Sequence, residues 1–538
     1  MCGILAAIGT TDIELAKMQS AKLDHRGPDE QGHQVITSYP GGAILCHERL
    51  SIIDLHTGKQ PIKGSHGNYV IHNGEIYNHQ QLRSTLTKGQ KARTTSDSEI
   101  IIHLWEEKGV ECIHELDGVF AFVLVDGDKV FAGRDPIGVK PLFWGKSETG
   151  VMWFASEQKS LIDVCEEIHE FPAGHYFHTD EGFVKYYQPT YNQPDFVPTE
   201  GPEKIKELLT KAVRKRLMSD APLGVLLSGG LDSSLVTSIV VKEAQKEGIK
   251  VKSFSVGMDS SSLDLLKARK AAEYLGTEHH EIIFTPEEGI QTLEELVYKA
   301  ETYDVTTIRA ATPMLIMSRY IAAQGVKVVL SGEGADELFG GYLYFGNAPT
   351  AKDFHDECVR RVNRLYSSDV LRADRATMGA GVEARVPFLD KEFVEYVLSI
   401  RPELKEIAPG KRCEKFILRE AFAEGDYLPE EVLWRQKEQF SDGVGYSWID
   451  GLKALAEEKV TDKELEEATI LWPHNTPESK EAILYRKIYD QTYSHPSCEK
   501  LVLRWVPRWQ KDKDPSGRAN DSHVSSYYPA SEETTLSR

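Results

Sequence analysis

Hydrophobic and polar positions divide the chain into regions of different rhythm. Over the first 186 residues, short apolar runs at 4–8, 43–45, 69–72, 120–125 and 130–132 are punctuated by glycine. Runs of that length between turn residues predict β-strands. Helical spacing appears near 12–23 and 97–108. Mixed strands with a few helices predict an α+β layered domain rather than alternating βαβ units.

Between 188 and 203 the chain carries Pro189, Pro194, Pro198 and Pro202 and little apolar material, the composition of a stiff inter-domain linker. After it, Ile205, Leu208, Leu209, Ala212, Val213 and Leu217 fall on one helical face. Strand-like runs at 224–227, 251–256, 281–284 and 326–330 then alternate with helical stretches at 231–240, 263–275 and 313–323. That alternation predicts a parallel sheet wrapped by helices. Beyond Lys391 the pattern is mostly helical. From Lys511 the tail keeps only Val524 and Leu536 as large aliphatics, which predicts disorder. The expected division is a first domain at 2–186, a linker at 187–203, a second domain at 204–510 and a tail at 511–538.

Charge narrows the partners. The 538 residues carry 63 basic and 83 acidic side chains, a formal net charge of −20. Nucleic acid demands a basic face, so that class of partner is disfavoured, although a local pocket for a small phosphorylated ligand is not. No apolar run approaches the roughly 18–20 residues that cross a bilayer, and the start of the chain is a poor secretory signal. Seven cysteines without a Cys-x-x-Cys spacing predict neither a disulfide framework nor a zinc cluster. The expectation is a cytoplasmic protein with no membrane partner.

Two stretches carry chemistry. Removal of Met1 leaves Cys2 with its α-amino group, of reference pKa roughly 7.7–8.0, beside its thiol. A nucleophile and a base then sit on one residue. A cysteine attacking a carboxamide also needs oxyanion donors. Asn73-Gly74-Glu75 follows a strand-like run, where an amide and a glycine N–H are placed to point at one oxygen. Arg49 and Asp97 offer opposite charges suited to an α-carboxylate and an α-amino group.

Met1-Cys-Gly-Ile4, His25-Arg-Gly-Pro-Asp29, Arg49-Leu-Ser-Ile-Ile53, Asn73-Gly-Glu-Ile-Tyr-Asn78 and Ser96-Asp-Ser-Glu99 together resemble the glutaminase domain of class II glutamine amidotransferases. The resemblance implies an N-terminal-nucleophile hydrolase fold in which Cys2 hydrolyses the glutamine amide through a thioester. Asn73 and Gly74 would form the oxyanion hole. Arg49, Leu50, Ser51, Ile52, Ile53, Asn73, Gly74, Glu75 and Asp97 would hold glutamine.

The second stretch, Ser228-Gly229-Gly230-Leu-Asp232-Ser233-Ser234, lies between a predicted strand and a predicted helix. Glycines let the backbone approach an anion, and a helix N-terminus presents unpaired N–H groups. No lysine follows, so a Walker A loop is disfavoured. The string resembles the pyrophosphate loop of ATP pyrophosphatases. A second loop, Ser331-Gly332-Glu333-Gly-Ala-Asp336-Glu337, follows another predicted strand. In a parallel sheet both loops emerge at the carboxyl edge. There Asp232 and Asp336 are suited to share Mg2+ on the leaving pyrophosphate, whereas Glu337 is expected to be solvated.

The second loop, together with Thr302-Tyr-Asp-Val-Thr-Thr-Ile-Arg-Ala310, Gly381-Val-Glu-Ala-Arg-Val-Pro-Phe-Leu-Asp390 and Trp434-Arg-Gln-Lys-Glu-Gln-Phe-Ser-Asp-Gly443, resembles the synthetase domain of glutamine-hydrolysing asparagine synthetases. With the upstream half, the resemblance runs from Cys2 to Arg508. It implies an α/β domain of ATP-pyrophosphatase type with helical additions. Leu227, Val256, Ser331 and Gly332 would contact ATP beside the 228–234 loop, and Arg309 and Lys437 would lie near the phosphates. Glu333 would assist formation of β-aspartyl-AMP or accept a proton from attacking ammonia; the two roles stay open. The implied substrates are glutamine, aspartate and ATP, and a homodimer rests on the resemblance alone.

Two other readings stand beside this one, the first still an enzyme and the second not. The same modules suit another carboxylate acceptor or an amide-closing cyclase, although a cyclase needs no ammonia source. A non-enzymatic sensor would carry lesions at the nucleophile or loops, and none is visible. Gly379-Ala-Gly381-Val-Glu-Ala384 fits a dinucleotide spacing but follows no predicted strand. His279-His280 lacks a second ligand pair, and Asn520-Asp-Ser is a glycan acceptor only in a secreted protein. The other six cysteines read as buried or incidental thiols.

Overall fold

The structure, a computed structural model, describes residues 2–87, 92–192, 196, 201–408, 412–435 and 445–509. The tail at 511–538 lies outside the described residues, as does Lys437. The strands of the first half are β1 (Gly3–Ile8), β2 (Glu30–Ile36), β3 (Ala43–Arg49), β4 (Ile62–Lys63), β5 (Tyr69–Ile76), β6 (Gly118–Asp126), β7 (Lys129–Arg134), β8 (Phe143–Lys146), β9 (Met152–Ala155), β10 (Glu167–Glu170), β11 (His175–His178) and β12 (Gly182–Lys185). They form two antiparallel six-stranded sheets, ordered β10-β8-β9-β1-β3-β2 and β12-β11-β7-β6-β5-β4.

The two-residue period of the strands sets the layers. Ile4 and Ala6 of β1 face Ile71 and Val123 of the other sheet. Leu5 and Ala7 point outward against Ala16 and Leu23. On the far side, Phe120, Phe122 and Leu124 pack against Ile100, Ile101 and Leu104 of the helix Glu99–Lys108. The result is helix, sheet, sheet, helix, the layered N-terminal-nucleophile arrangement. Its strands run longer than the apolar runs suggested: β3 continues through Arg49 and β5 through Ile76, because polar residues buried at the strand ends keep the pairing.

The second half holds a parallel sheet, β13 (Leu223–Leu226), β14 (Lys252–Gly257), β15 (Glu278–Ile283), β16 (Val328–Leu330) and β17 (Glu383–Arg385), in the order β15-β14-β13-β16-β17. Both faces are covered. Val225 joins a core with Leu209, Val213, Leu235 and Ala268, while Leu226 turns to the side of Ile308, Ala311 and Leu315. The order reverses between β13 and β16, so the loops after these two strands share the switch point where open parallel sheets receive ligands.

The helix expected to start at Pro313 starts at Val305 instead. Asp304 caps it by accepting from Thr307 N–H at 2.8 Å. Pro313 inside a helix cannot donate to the carbonyl of Arg309; the Trp448 Nε1–H fills that place at 2.9 Å. The Gly379–Ala384 spacing leads out of the helix Asp369–Met378 into β17, the reverse of a dinucleotide loop.

The two halves meet through buried charge as well as apolar contact. Leu50 and Ile52 pack with Val328 and Met378. Arg26, wholly buried, donates to Glu157 at 2.7 Å and to Asp374 across the junction at 2.8 Å. Glu301 accepts from the N–H groups of Gln158 and Lys159 at 3.0 and 2.8 Å. Removing one partner from such a lattice leaves an uncompensated buried charge, at about 3–5 kcal/mol.

Candidate active sites

Cys2 enters β1 with its side chain buried. Its backbone N–H, a peptide group while Met1 is attached, donates to Asn73 Oδ1 at 2.9 Å, and its Sγ lies 3.9 Å from Leu50 O. The other end of that amide, Asn73 Nδ2, is buried with no hydrogen-bond partner. A buried donor without an acceptor is costly, at roughly 1–3 kcal/mol, and marks a place where an oxygen is expected.

Gly74 adds to it. Tyr77 N–H donates to Asp117 O and, in the β5–β6 register, Gly74 lies opposite Phe120. Hydrogen-bonded and non-bonded pairs alternate along an antiparallel ladder, so Gly74 N–H turns away from β6. Ile76 N–H, two residues on, turns the same way and donates to Asp97 Oδ2 at 2.8 Å. Only glycine fits at 74: its φ is +141° and a Cβ would lie 2.0 Å from Val119 O.

The charges around this pocket are arranged as two poles. Arg49, buried, is held by Glu30 at 2.6 Å and by Asp54 O at 2.5 Å. Ser51 N–H donates to Asp29 at 2.7 Å, so the 49–53 segment is fixed by its neighbours. At the other pole, burial, with Glu383 adding, pushes the Asp97 carboxyl up to about 6. Glu75 is pushed up well above the usual range, first by burial and then by Glu383, and its Oε2 has no hydrogen-bond partner. Two crowded carboxyls with an open oxygen form a receptor for a cation. Burial likewise raises the Cys2 thiol, so it is protonated at rest, with Arg49 opposing the shift.

The second site assembles where β13 and β16 end. Gly229, at φ +70°, would place a Cβ 2.3 Å from Ala268 N, and a Cβ on Gly332 would lie 2.7 Å from Ser233 N. The second loop therefore touches the first through the backbone of Gly332, while Gly229 packs on the helix Leu263–Leu275. Ser228 Oγ and Ser233 Oγ are 3.0 Å apart. Leu227, Ser228, Gly230, Asp232, Ser233, Val256, Ser331, Gly332, Glu333 and Asp336 line one cavity, with Phe254, Ala310, Met314 and Met317 as an apolar wall. Gly229 and Ser234 lie behind that lining. Arg309 faces an adjoining cavity, its guanidinium clamped by Glu481 at 2.8 and 2.6 Å.

Several lining residues had no signal in the sequence. Lys415, 1% exposed, sits between Asp232 Oδ2 and Asp336 Oδ1, at 2.5 Å from each. Arg372 bridges Glu333 and Asp369, at 2.7 Å each. Neither lies in a glycine loop or strand end, and only the fold brings them in. Glu337, expected to be solvated, is instead buried and accepts from Tyr342 at 2.7 Å. Burial, then the charges of Asp369 and Asp336, push its carboxyl up. Asp232 and Asp336 converge on the Lys415 ammonium, and as two carboxylates beside substrate phosphates they would also suit Mg2+, so the donor set fits that metal.

These features define a class: a thiol amidohydrolase joined to a nucleotide-binding α/β domain. A glutamine amidotransferase domain model matches residues 1–192, and the asparagine synthase model matches 204–352 and 346–512. A probable glutamine-hydrolysing asparagine synthetase of Schizosaccharomyces pombe is 48% identical over 560 residues, covering 97% of this chain and 99% of its own. One from Dictyostelium discoideum is 47% identical, covering 98% and 100%, and asparagine synthetase 2 of Oryza sativa subsp. japonica is 48% identical, covering 96% and 92%. The chain belongs to the family of glutamine-hydrolysing asparagine synthetases.

Proposed function

We propose that the chain makes asparagine in two coupled steps, and that Cys2, freed of Met1, is the nucleophile of the first. The thiol passes its proton to the new α-amino group and attacks the glutamine carboxamide. Asn73 Nδ2 and Gly74 N–H receive the oxyanion. The α-ammonium returns that proton to the leaving nitrogen, which departs as ammonia, and water releases glutamate from the thioester. Arg49 takes the substrate's α-carboxylate; Asp97 and Glu75 take its α-ammonium.

In the second step the β-carboxylate of aspartate attacks the α-phosphorus of ATP. Pyrophosphate leaves into the cradle of Ser228, Gly230 and Ser233, backed by Gly229 and Ser234, with Lys415 beside it. Mg2+, held by Asp232 and Asp336, would neutralise charge on the departing pyrophosphate. Arg309 and Lys437 remain candidates for the phosphates, and Glu333 for ordering the acceptor or taking a proton from ammonia. Ammonia then displaces AMP from β-aspartyl-AMP. What carries this reading is the pair Asn73 Nδ2 and Cys2, a bare oxyanion donor beside a buried thiol, in one chain with a lysine-free phosphate loop. Seven buried, unpaired thiols favour a cytoplasmic setting, and among the described residues no helix is long and apolar enough to cross a membrane.

Supplying glutamine, aspartate, ATP and Mg2+ should give asparagine, glutamate, AMP and pyrophosphate in equal amounts. Formation of ADP and phosphate would overturn the adenylation step, and preference for another acceptor would overturn the choice of aspartate.

Two further results are expected. Asn73→Ala removes one oxyanion donor and should lower kcat for glutamine hydrolysis about 10²–10³-fold, read by glutamate release, with ammonia-dependent synthesis intact. The raised Asp97 carboxyl gives a pH dependence. As pH falls through about 6 the carboxylate is protonated and its attraction for the α-ammonium is lost, so the glutamine KM should rise on the acid side. Asp97→Asn should have a high KM that no longer changes across that range.

A further inference from the structure

Arg385 belongs to neither set of substrate contacts, yet it touches both sites. It ends β17, the edge strand of the parallel sheet, and its side chain is fully buried. Its carbonyl accepts from Ser331 N–H at 2.9 Å, the first residue of the second nucleotide loop. Its guanidinium crosses the domain junction to Glu75 Oε1 at 3.1 Å. Nε donates to Glu383 at 2.5 Å, and Nη1 donates to the carbonyls of Arg216 and Met218 at 2.7 and 2.5 Å.

The grip on Glu75 is the weak one. Nη2 meets Oε1 without hydrogen-bond alignment, and Glu75 Oε2 is buried with no partner. The other three contacts fix Arg385 to its own domain. The guanidinium is thus a fixed charge beside the Glu75 carboxyl, whose Oε2 is left for an incoming cation; that cation, like Arg385, favours the ionised form of the carboxyl.

Resting on the assignment of glutamine's α-ammonium to Glu75, we propose that Arg385 is the positioning residue that couples the two sites. Nucleotide bound at the Ser331 loop fixes β17, and β17 fixes the guanidinium that orients Glu75. Glutamine then meets a carboxylate already in place, so nucleotide tightens glutamine. Linkage requires glutamine to tighten nucleotide by the same factor.

The test uses the full chain carrying Cys2→Ala, which stops glutamine turnover, with Mg-ATP and no aspartate. Calorimetric titration should show glutamine binding roughly fivefold tighter or more with saturating Mg-ATP than without it. Adding Arg385→Lys, which keeps the charge but loses the fork that holds β17 and Glu75 together, should reduce that factor to about twofold or less. Arg385→Lys alone should keep ammonia-dependent synthesis within about twofold, a combination that general unfolding would not produce. If Arg385→Lys fails to fold, Glu75→Gln in the Cys2→Ala background removes the other half of the contact and should erase the same factor. Absence of coupling in the parent, or its survival in either variant, overturns the proposal. Failure of the wild-type chain to make asparagine from glutamine would instead overturn the functional reading beneath it.

Discussion

Cys2→Ala should lower glutamine-dependent asparagine synthesis at least about 10³-fold, since the Cys2 thiol beside Asn73 is the group proposed to form the thioester. Ammonia-dependent synthesis should stay within about twofold. The two sites are separate in space. Cys2 is tied to Asn73 and Leu50 in the first domain, while the phosphate loops lie at the carboxyl edge of a sheet in the second. Alanine keeps the backbone N–H that donates to Asn73, so the strand should hold its place. Asparagine production with each nitrogen source is the measurement. Loss of both activities would mean that the residue supports the junction rather than the chemistry.

Lys415→Met should give the opposite pattern, with synthesis lost from either nitrogen source and glutaminase activity kept. The ammonium is buried between Asp232 and Asp336. Without it the two carboxylates lose the ammonium set between them, and breaking a buried pair by removing one partner costs about 3–5 kcal/mol. That cost falls where the triphosphate must bind, and a cation that stabilises departing pyrophosphate is lost as well. A drop of about 10²–10³-fold in aspartate- and ATP-dependent turnover is expected, with glutamate release from glutamine within about twofold of wild type. Retained synthesis would show that Lys415 is only a counter-ion for the resting site.

How much of this could be read from the sequence depends on where the information lies. The placing of the 228–234 loop between a strand and a helix was legible because glycine marks a turn of the backbone. Glycines at 229 and 230 between an apolar run and a helix announce a close approach, and at 229 the Cβ contact with the backbone of Ala268 explains why. Cys2 and Asn73 were legible through spacing and resemblance, although their 2.9 Å contact joins residues 71 positions apart. Lys415 and Arg372 were not. Each lies in a polar stretch with no turn or strand signal, and only packing of the later helices against the sheet carries it inward. Glu337 was misjudged because acidity in a loop suggests solvent, whereas here Tyr342 covers the carboxyl. Helix ends failed where tertiary contacts replaced local ones, as at Pro313, whose missing donor is supplied by a tryptophan 135 positions away by the numbering of Pro313 and Trp448.

In the proposed reaction, thiol and phosphate cradle work as one nitrogen-transfer device across the junction of the two domains. The most direct measurement supplies glutamine labelled with 15N in its amide, together with an equal concentration of unlabelled ammonium, and reads the asparagine side-chain nitrogen by mass. The account predicts label in nearly all of the asparagine at early time, since ammonia made at Cys2 reaches the acyl adenylate before mixing with solvent. Label diluted to the ratio of the bulk ammonium pool would contradict it.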